Sequence, residues 1–267
     1  PQVKAVSFTG STAVGRRIAG IAAPMLKKVS LELGGKNPTL VFADSDWQAQ
    51  LPTIARSVFQ NSGQICLCGS RLLVERSIYG AFRDALVAHA NSLRVGDPGD
   101  PATDLGPLVS QAHFDKVTRA IARAREEGGT VLCGGEAIDR PGWFVQPTLV
   151  EGLGPDCASN RDEIFGPVAT LQAFDDDEHA LALANACDYG LSASVWTRDL
   201  GRANRAIDLN FVLIFFLTCS FVIVLKFKVP HLPREGTKVC EDICSRARIQ
   251  GTAKVPGAAR IRYPRGP

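Results

Sequence analysis

Apolar residues recur along this chain at two spacings, and the two alternate. Segments with apolar positions three and four apart predict helices over Thr12–Lys28, Trp47–Gln60, Ile78–Ser92, Ser110–Glu127 and Glu178–Cys187. Between them, short apolar runs rich in β-branched and aromatic residues predict strands over Val3–Phe8, Thr39–Phe42, Arg71–Glu75, Thr130–Cys133, Thr148–Val150, Val168–Phe174 and Ser192–Thr197. Such alternation implies an α/β fold, a mainly parallel sheet with helices on its faces. Pro and Gly cluster between Gly96 and Pro107, which reads as a surface loop ahead of the Ser110 helix.

Two runs break the pattern. In FQNSGQICLCGSR, Cys66 stands in a polar, glycine-rich collar of Asn61, Ser62, Gly63 and Gln64 before it and Gly69, Ser70 and Arg71 after it. A core cysteine has apolar neighbours, whereas this collar reads as a helix start or tight turn whose free N–H groups can stabilise a thiolate and then an oxyanion. In LELGGKNP, Glu32 lies between Leu31 and Leu33, an apolar setting suited to a general base. Taken alone, Cys66 reads as a small buried hydrophobe and Glu32 as an edge-strand carboxylate facing water. A further signal is VSFTGS followed by AVGRRIAGIAAPMLKK. A strand, a Gly turn and a helix start make a site for a pyrophosphate, with Gly10 and Ser11 on the phosphate side; the plain alternative is that Ser11 or Thr12 only caps the helix.

With FTGSTAVG at Phe8 to Gly15, LELGGKNP at Leu31 to Pro38, FQNSGQICLCGSR at Phe59 to Arg71 and EIFGPV at Glu163 to Val168, the chain resembles the NAD(P)-dependent aldehyde dehydrogenase superfamily. GPLVS at Gly106, GWFVQPTL at Gly142 and YGLSASVWTRD at Tyr189 add to the likeness, which runs from Pro1 to about Leu209. The resemblance implies an aldehyde dehydrogenase-like α/β fold in three parts. Residues 1–35 are the C-terminal remnant of a Rossmann-like NAD-binding domain, 36–209 an α/β catalytic domain bearing the thiol, and 210–267 a divergent tail.

The same resemblance implies the chemistry and its residues. Cys66 attacks an aldehyde carbonyl, hydride leaves the resulting thiohemiacetal for the nicotinamide, and water hydrolyses the thioester. Glu32 is the general base, and the Cys66 backbone N–H forms half of the oxyanion hole. Implied cofactor contacts are Gly10, Ser11, Val14 against the adenine, Leu33, Gly34, Glu163 on the nicotinamide ribose and Phe165 near the nicotinamide. The cofactor is NAD, with NADP as the alternative. The partner is a small-molecule aldehyde, and the complete enzyme is expected to be a homo-oligomer with no nucleic acid and no metal. The ICLC form of the nucleophile motif, with SLELGGKNP, is similar to aminomuconate- and hydroxymuconate-semialdehyde dehydrogenases. A retinal or general aliphatic aldehyde is the alternative substrate, and a catalytically inactive isoform or fragment that binds full-length subunits is the alternative function.

Composition changes this picture only at the end of the chain. With 45% hydrophobic and 21% charged residues among 267, the chain is that of a globular protein. The net charge of +3 conceals a division: residues 226–267 hold ten Lys and Arg against three Asp and Glu, a net +7, which leaves the first 225 residues at −4. Basicity therefore belongs to the tail, whose Pro, Gly and Arg content predicts disorder. From Asn210 the family pattern gives way to FVLIFFLTCSFVIVLKFKV. Its 15 uncharged residues from Phe211 to Leu225 fall short of the ~18–20 that span a bilayer, and they read instead as a buried strand. Pro1 falls inside the dinucleotide domain, so a truncated chain without secretory signal is expected, its C-terminus replaced by an alternative or mispredicted exon. Eight cysteines, one of them nucleophilic, suit a reducing, cytoplasmic compartment, with Cys68 a packing residue. Cys240 and Cys244 with His231 lack the spacing of a zinc finger.

Overall fold

The computed structural model describes residues 2–209 together with the strand segments 214–217 and 222–224. A two-stranded parallel sheet comes first. Strands β1 (Ala5–Thr9) and β2 (Lys28–Glu32) pair from Ala5 opposite Lys28 to Thr9 opposite Glu32, and helix α1 (Thr12–Ala22) connects them. The helix expected to reach Lys28 stops at Ala22, because Pro24 has no N–H for the helical ladder and its ring clashes with the carbonyl four residues back. A short 3₁₀ turn, Ala23–Met25, and the left-handed Leu26 (φ 53°) redirect the chain into β2. In β2 the side chains alternate, Val29 and Leu31 half-buried and Lys28, Ser30 and Glu32 exposed.

The large sheet holds eight strands. They are β3 (Pro38–Val41), β4 (Arg71–Glu75), β5 (Thr130–Cys133), β6 (Thr148–Glu151), β7 (Val168–Phe174), β8 (Ser192–Trp196), β9 (Ile214–Leu217) and β10 (Val222–Val224), in the order β10-β9-β8-β3-β4-β7-β6-β5. Only the outer pairs β5·β6 and β9·β10 are antiparallel. The apolar run after Asn210 thus contributes two strands, one of them parallel to β8 from Ser192 opposite Ile214. Among the described residues no helix is long and apolar enough to cross a membrane. The predicted disordered tail beyond Val224 lies outside the described residues, as do His231, Cys240 and Cys244.

Strand alternation sets up two cores. Leu72 and Val74 of β4, with Val41 of β3, face helices α2 (Trp47–Phe59) and α3 (Arg76–Ser92), packing against Ile54, Val58, Phe59, Phe82 and Leu86. Leu73 and Leu40 face the other way, onto α6 (Asp177–Ala184) and α7 (Leu200–Leu209). Helix α4 (Gln111–Glu126) lays Val117 and Ile121 against Val145, Ile164 and Val168, and a single turn, α5 (Ala158–Arg161), precedes the EIFGPV segment. Arg71 is 2% exposed, yet fully engaged: Nε donates to the Lys36 carbonyl at 2.9 Å, and the two terminal nitrogens donate to Leu183 and Ala184 at 2.7 Å each. A buried guanidinium thereby caps the last carbonyls of α6 and ties that helix to the start of β3.

Candidate active site

All parallel strands of the large sheet begin at one edge, and the unusual sequence runs collect there. Asn37 leads into β3, Cys66 into β4, Glu163 to Gly166 into β7, and Ser192 opens β8. Facing them is the opposite kind of edge on the small sheet, where β1 ends at Thr9, just before Gly10, and β2 at Glu32. The candidate site is the seam between a strand-start edge and a strand-finish edge.

The nucleophile loop is built by a left-handed turn. After α2 the backbone passes through Asn61 (φ 52°), Ser62 (φ 54°) and Gly63 (φ 70°), so the collar forms a tight turn and not a helix start. Ser62 Oγ donates to the Gly106 carbonyl at 2.7 Å, and the Gln64 side chain accepts from Val109 N at 3.0 Å, which moors the turn to the GPLVS segment. Gly63 lies against Gly166. Both its backbone angle and this approach require glycine.

Cys66 follows, half-buried and free of any disulfide. Burial pushes its thiol above the ordinary value, and the carboxylates of Glu163 and Glu32 push the same way, while the N–H groups of Cys66 and Leu67 pull back. The sulfur rests as a thiol and needs a base to become a nucleophile. Cys68 is buried at 7% exposure, its thiol pushed up to about 11 by burial, as befits a packing residue.

Glu32 differs from expectation in its surroundings. It is exposed, and the apolar setting anticipated from Leu31 and Leu33 does not form, because neighbours along a strand project to the opposite face. Leu33 instead meets Gly15 of α1, where an added Cβ would stand 2.4 Å from Leu33 Cδ2. At the α1 start, Gly10 N donates to the Glu32 carbonyl at 3.0 Å, so that amide is committed to the sheet. Ser11 caps the helix, its hydroxyl accepting from Val14 N at 3.4 Å, and Val14 is 46% exposed. The plain reading of Ser11 as an N-cap therefore holds in this structure.

Glu163 joins the two edges. One carboxylate oxygen accepts from Gly35 N at 3.0 Å, and a Cβ on Gly34 would fall 2.3 Å from the other. Its far side opens on a cavity of about 700 Å³ lined by Lys116, Arg119, Arg123, Asp162 and Tyr189. Phe165 adopts a left-handed backbone (φ 63°), uncommon for an aromatic residue, and is held there by His113, whose Nε2–H donates to its carbonyl at 2.6 Å while the rings meet edge to face. Lys36 is buried, and its Nζ has no hydrogen-bond partner; burial first, then the Arg71 charge, pulls its pKa down to about 7.

The structure thus brings Cys66, Glu163, Gly34, Gly35 and Phe165 together and sets Glu32, Gly10, Ser11 and Val14 along the facing edge. Sequence reasoning gave no role to Asn37 or His113. Asn37 stood in the quoted LELGGKNP run, where an amide just before a strand-starting Pro was the available signal; nothing in the α4 pattern singles out His113. Among the described residues no group of three or more His, Cys, Asp and Glu side chains is gathered for a metal.

Comparison with known proteins places these features in company. The aldehyde dehydrogenase family model matches residues 1–210. The 2-aminomuconic semialdehyde dehydrogenase of Danio rerio is 45% identical over 213 residues, covering 77% of this chain and 44% of that protein. A betaine aldehyde dehydrogenase of Cereibacter sphaeroides is 44% identical over 206 residues, again 77% of this chain and 43% of its own length. Among solved structures, a point mutant of the betaine aldehyde dehydrogenase of Staphylococcus aureus in complex with NAD+ superposes with a TM-score of 0.79 at 32% identity, covering 84% of this chain and 46% of that one. The chain spans less than half the length of the curated relatives it matches.

Proposed function

The chain belongs to the aldehyde dehydrogenase family, and on that footing we propose that it carries the thiol side of an NAD-dependent enzyme that oxidises an aldehyde to a carboxylic acid. The observation that carries the proposal is the meeting of Cys66, Glu163 and the Gly34–Gly35 pair at one seam. Residues 1–35 belong to the cofactor side and 36–209 to the thiol side. Cytoplasmic action suits a half-buried free thiol at the reacting position.

The residues present fit a dinucleotide from one side. Only glycine at position 34 leaves room beside the Glu163 carboxylate, Val14 is open to solvent, and the first turn of α1 follows a Gly-Ser cap. Gly10, Ser11, Val14, Leu33, Gly34, Glu163 and Phe165 would hold it, and the bound nicotinamide supplies a hydride acceptor. NADP stays the alternative. Cys66 Sγ forms the bond to the aldehyde carbon while its proton passes to Glu32, which releases it to solvent before the second half; the carbonyl oxygen gathers charge beside the Cys66 N–H. In the second half the Glu32 carboxylate takes a proton from the water that attacks the thioester, and Cys66 is released.

For substrate we propose a muconic-semialdehyde type, supported by the likeness to the 2-aminomuconic enzyme. The test is NADH formation by the purified chain with 2-aminomuconic semialdehyde and with betaine aldehyde. Turnover that disappears in Cys66→Ser, with the higher kcat/KM for the semialdehyde, supports the proposal; preference for betaine aldehyde overturns the substrate.

A second reading follows from exposed apolar residues beside the small sheet: Leu26 is 94% exposed, Val3 62% and Ile21 61%. In it the chain acts by binding full-length subunits of such an enzyme. Stable capture of full-length subunits without turnover would favour it.

A further inference from the structure

Cys66 has only a loop beneath it, so something must hold that loop in register with the strands. Asn37, 2% exposed, is bonded on all sides. Its Nδ2 donates to the Cys66 carbonyl at 2.7 Å and to the Cys68 carbonyl at 2.9 Å, and its Oδ1 accepts from Ser192 N at 3.0 Å. Its own carbonyl accepts from Arg71 N at 3.2 Å. One residue, through its side-chain amide and its main-chain carbonyl, thereby links the nucleophile loop to the starts of β3, β4 and β8. Gly35 completes the fit, because a Cβ there would lie 2.7 Å from both the Cys66 carbonyl oxygen and Asn37 Oδ1.

We infer that Asn37 is a positioning residue for the Cys66 thiolate, acting by its grip on the carbonyl oxygen of the peptide that joins Cys66 to Leu67. A peptide unit is planar, so holding its oxygen fixes the direction of its N–H at the other end. That N–H belongs to Leu67, and its dipole favours the charged form of the Cys66 sulfur. A donor on the oxygen also polarises the unit and strengthens its N–H. Asn37 touches neither sulfur nor substrate, and its effect reaches the reacting atom through one peptide bond. The inference rests on the reading of Cys66 as nucleophile.

The experiment alkylates the full 267-residue chain with iodoacetamide across a pH series and reads Cys66 and Cys157 separately by peptide mass spectrometry, alongside thermal melting. Asn37→Leu removes both donors and the acceptor; Asn37→Ser keeps one hydroxyl donor. The Leu variant is expected to lower the Cys66 rate near neutral pH by about ten-fold, with the midpoint of its pH profile about one unit higher, Cys157 unchanged and the Ser variant intermediate. A Cys66 rate and midpoint unchanged in both variants overturns the inference. Parallel acceleration of Cys66 and Cys157 in both variants marks loosened folding and overturns it too; if only the Leu variant loosens, the Ser variant decides. Wild-type Cys66 that reacts no faster than Cys157 overturns the nucleophile reading itself.

Discussion

Gly63 lies so close against Gly166 that a Cβ at position 63 would stand 1.9 Å from the Gly166 carbonyl oxygen. That atom belongs to backbone, so it cannot swing aside as a side chain would. Gly63→Ala combines this collision with a left-handed φ, and it is expected to cost about 3 kcal/mol or more. Urea denaturation followed by circular dichroism checks it; a loss under about 1 kcal/mol would show that the two loops part easily.

Gly34→Ala meets a softer obstacle, the Glu163 carboxylate at 2.3 Å. The side chain must rotate away, which takes it from the Gly35 amide. Under the proposed function the KM for NAD rises several-fold with kcat changed less, while melting stays near wild type. Steady-state kinetics with varied NAD separates the two constants.

His113→Leu removes the donor on the Phe165 carbonyl and leaves a left-handed aromatic residue unsupported. The expected loss is about 1–3 kcal/mol of stability. His113→Gln, which retains a side-chain N–H, is expected to recover at least half of it. Equal losses in both variants would mean that ring packing, and not the hydrogen bond, holds the segment.

Lys36 gives a pH signature. Its pKa in the fold is pulled down to about 7 from 10.5, by burial first. Between those values the unfolded chain binds a proton that the folded chain does not, so this residue makes stability rise with pH. The penalty is fully present below about pH 7 and is relieved as pH climbs toward 10.5. Lys36→Met is therefore expected to stabilise the protein more at pH 6 than at pH 10, measured as the difference from wild type in chemical denaturation. An equal gain at both values would place the amine in water.

Much of the large sheet was legible because its strands are short apolar runs bounded by turns: Arg71–Glu75, Thr130–Cys133 and Val168–Phe174 match to the residue. The errors have local causes. Pro24 was passed over inside an alanine-rich stretch, which lengthened α1 and hid β2, although KVSLE alternates cleanly. Helix α7 lies outside the predicted helices although LGRANRAIDL places Leu200, Ala203, Ala206 and Ile207 at helical spacing; the side chains it is seen to bury are the small ones of Ala203 and Ala206. At the site, the motifs located Cys66, Glu163 and their glycines, since those glycines are demanded by close approaches. Alternation along β2 predicts an outward Glu32, a fact obscured by reading its flanking leucines as an enclosure. What spacing cannot carry is a bond across many intervening residues, such as Asn37 to Ser192.

The seam has a practical corollary. Because the site gathers where the large sheet's parallel strands start, their finishing turns, at Asp44–Ser45 after β3 and Asp175–Asp176 after β7, lie a full strand length away on the other rim. The turn after β7, exposed at both Asp175 and Asp176, is the natural attachment point for a fluorophore or a surface tether, which would report on the protein while leaving the sulfur's surroundings untouched.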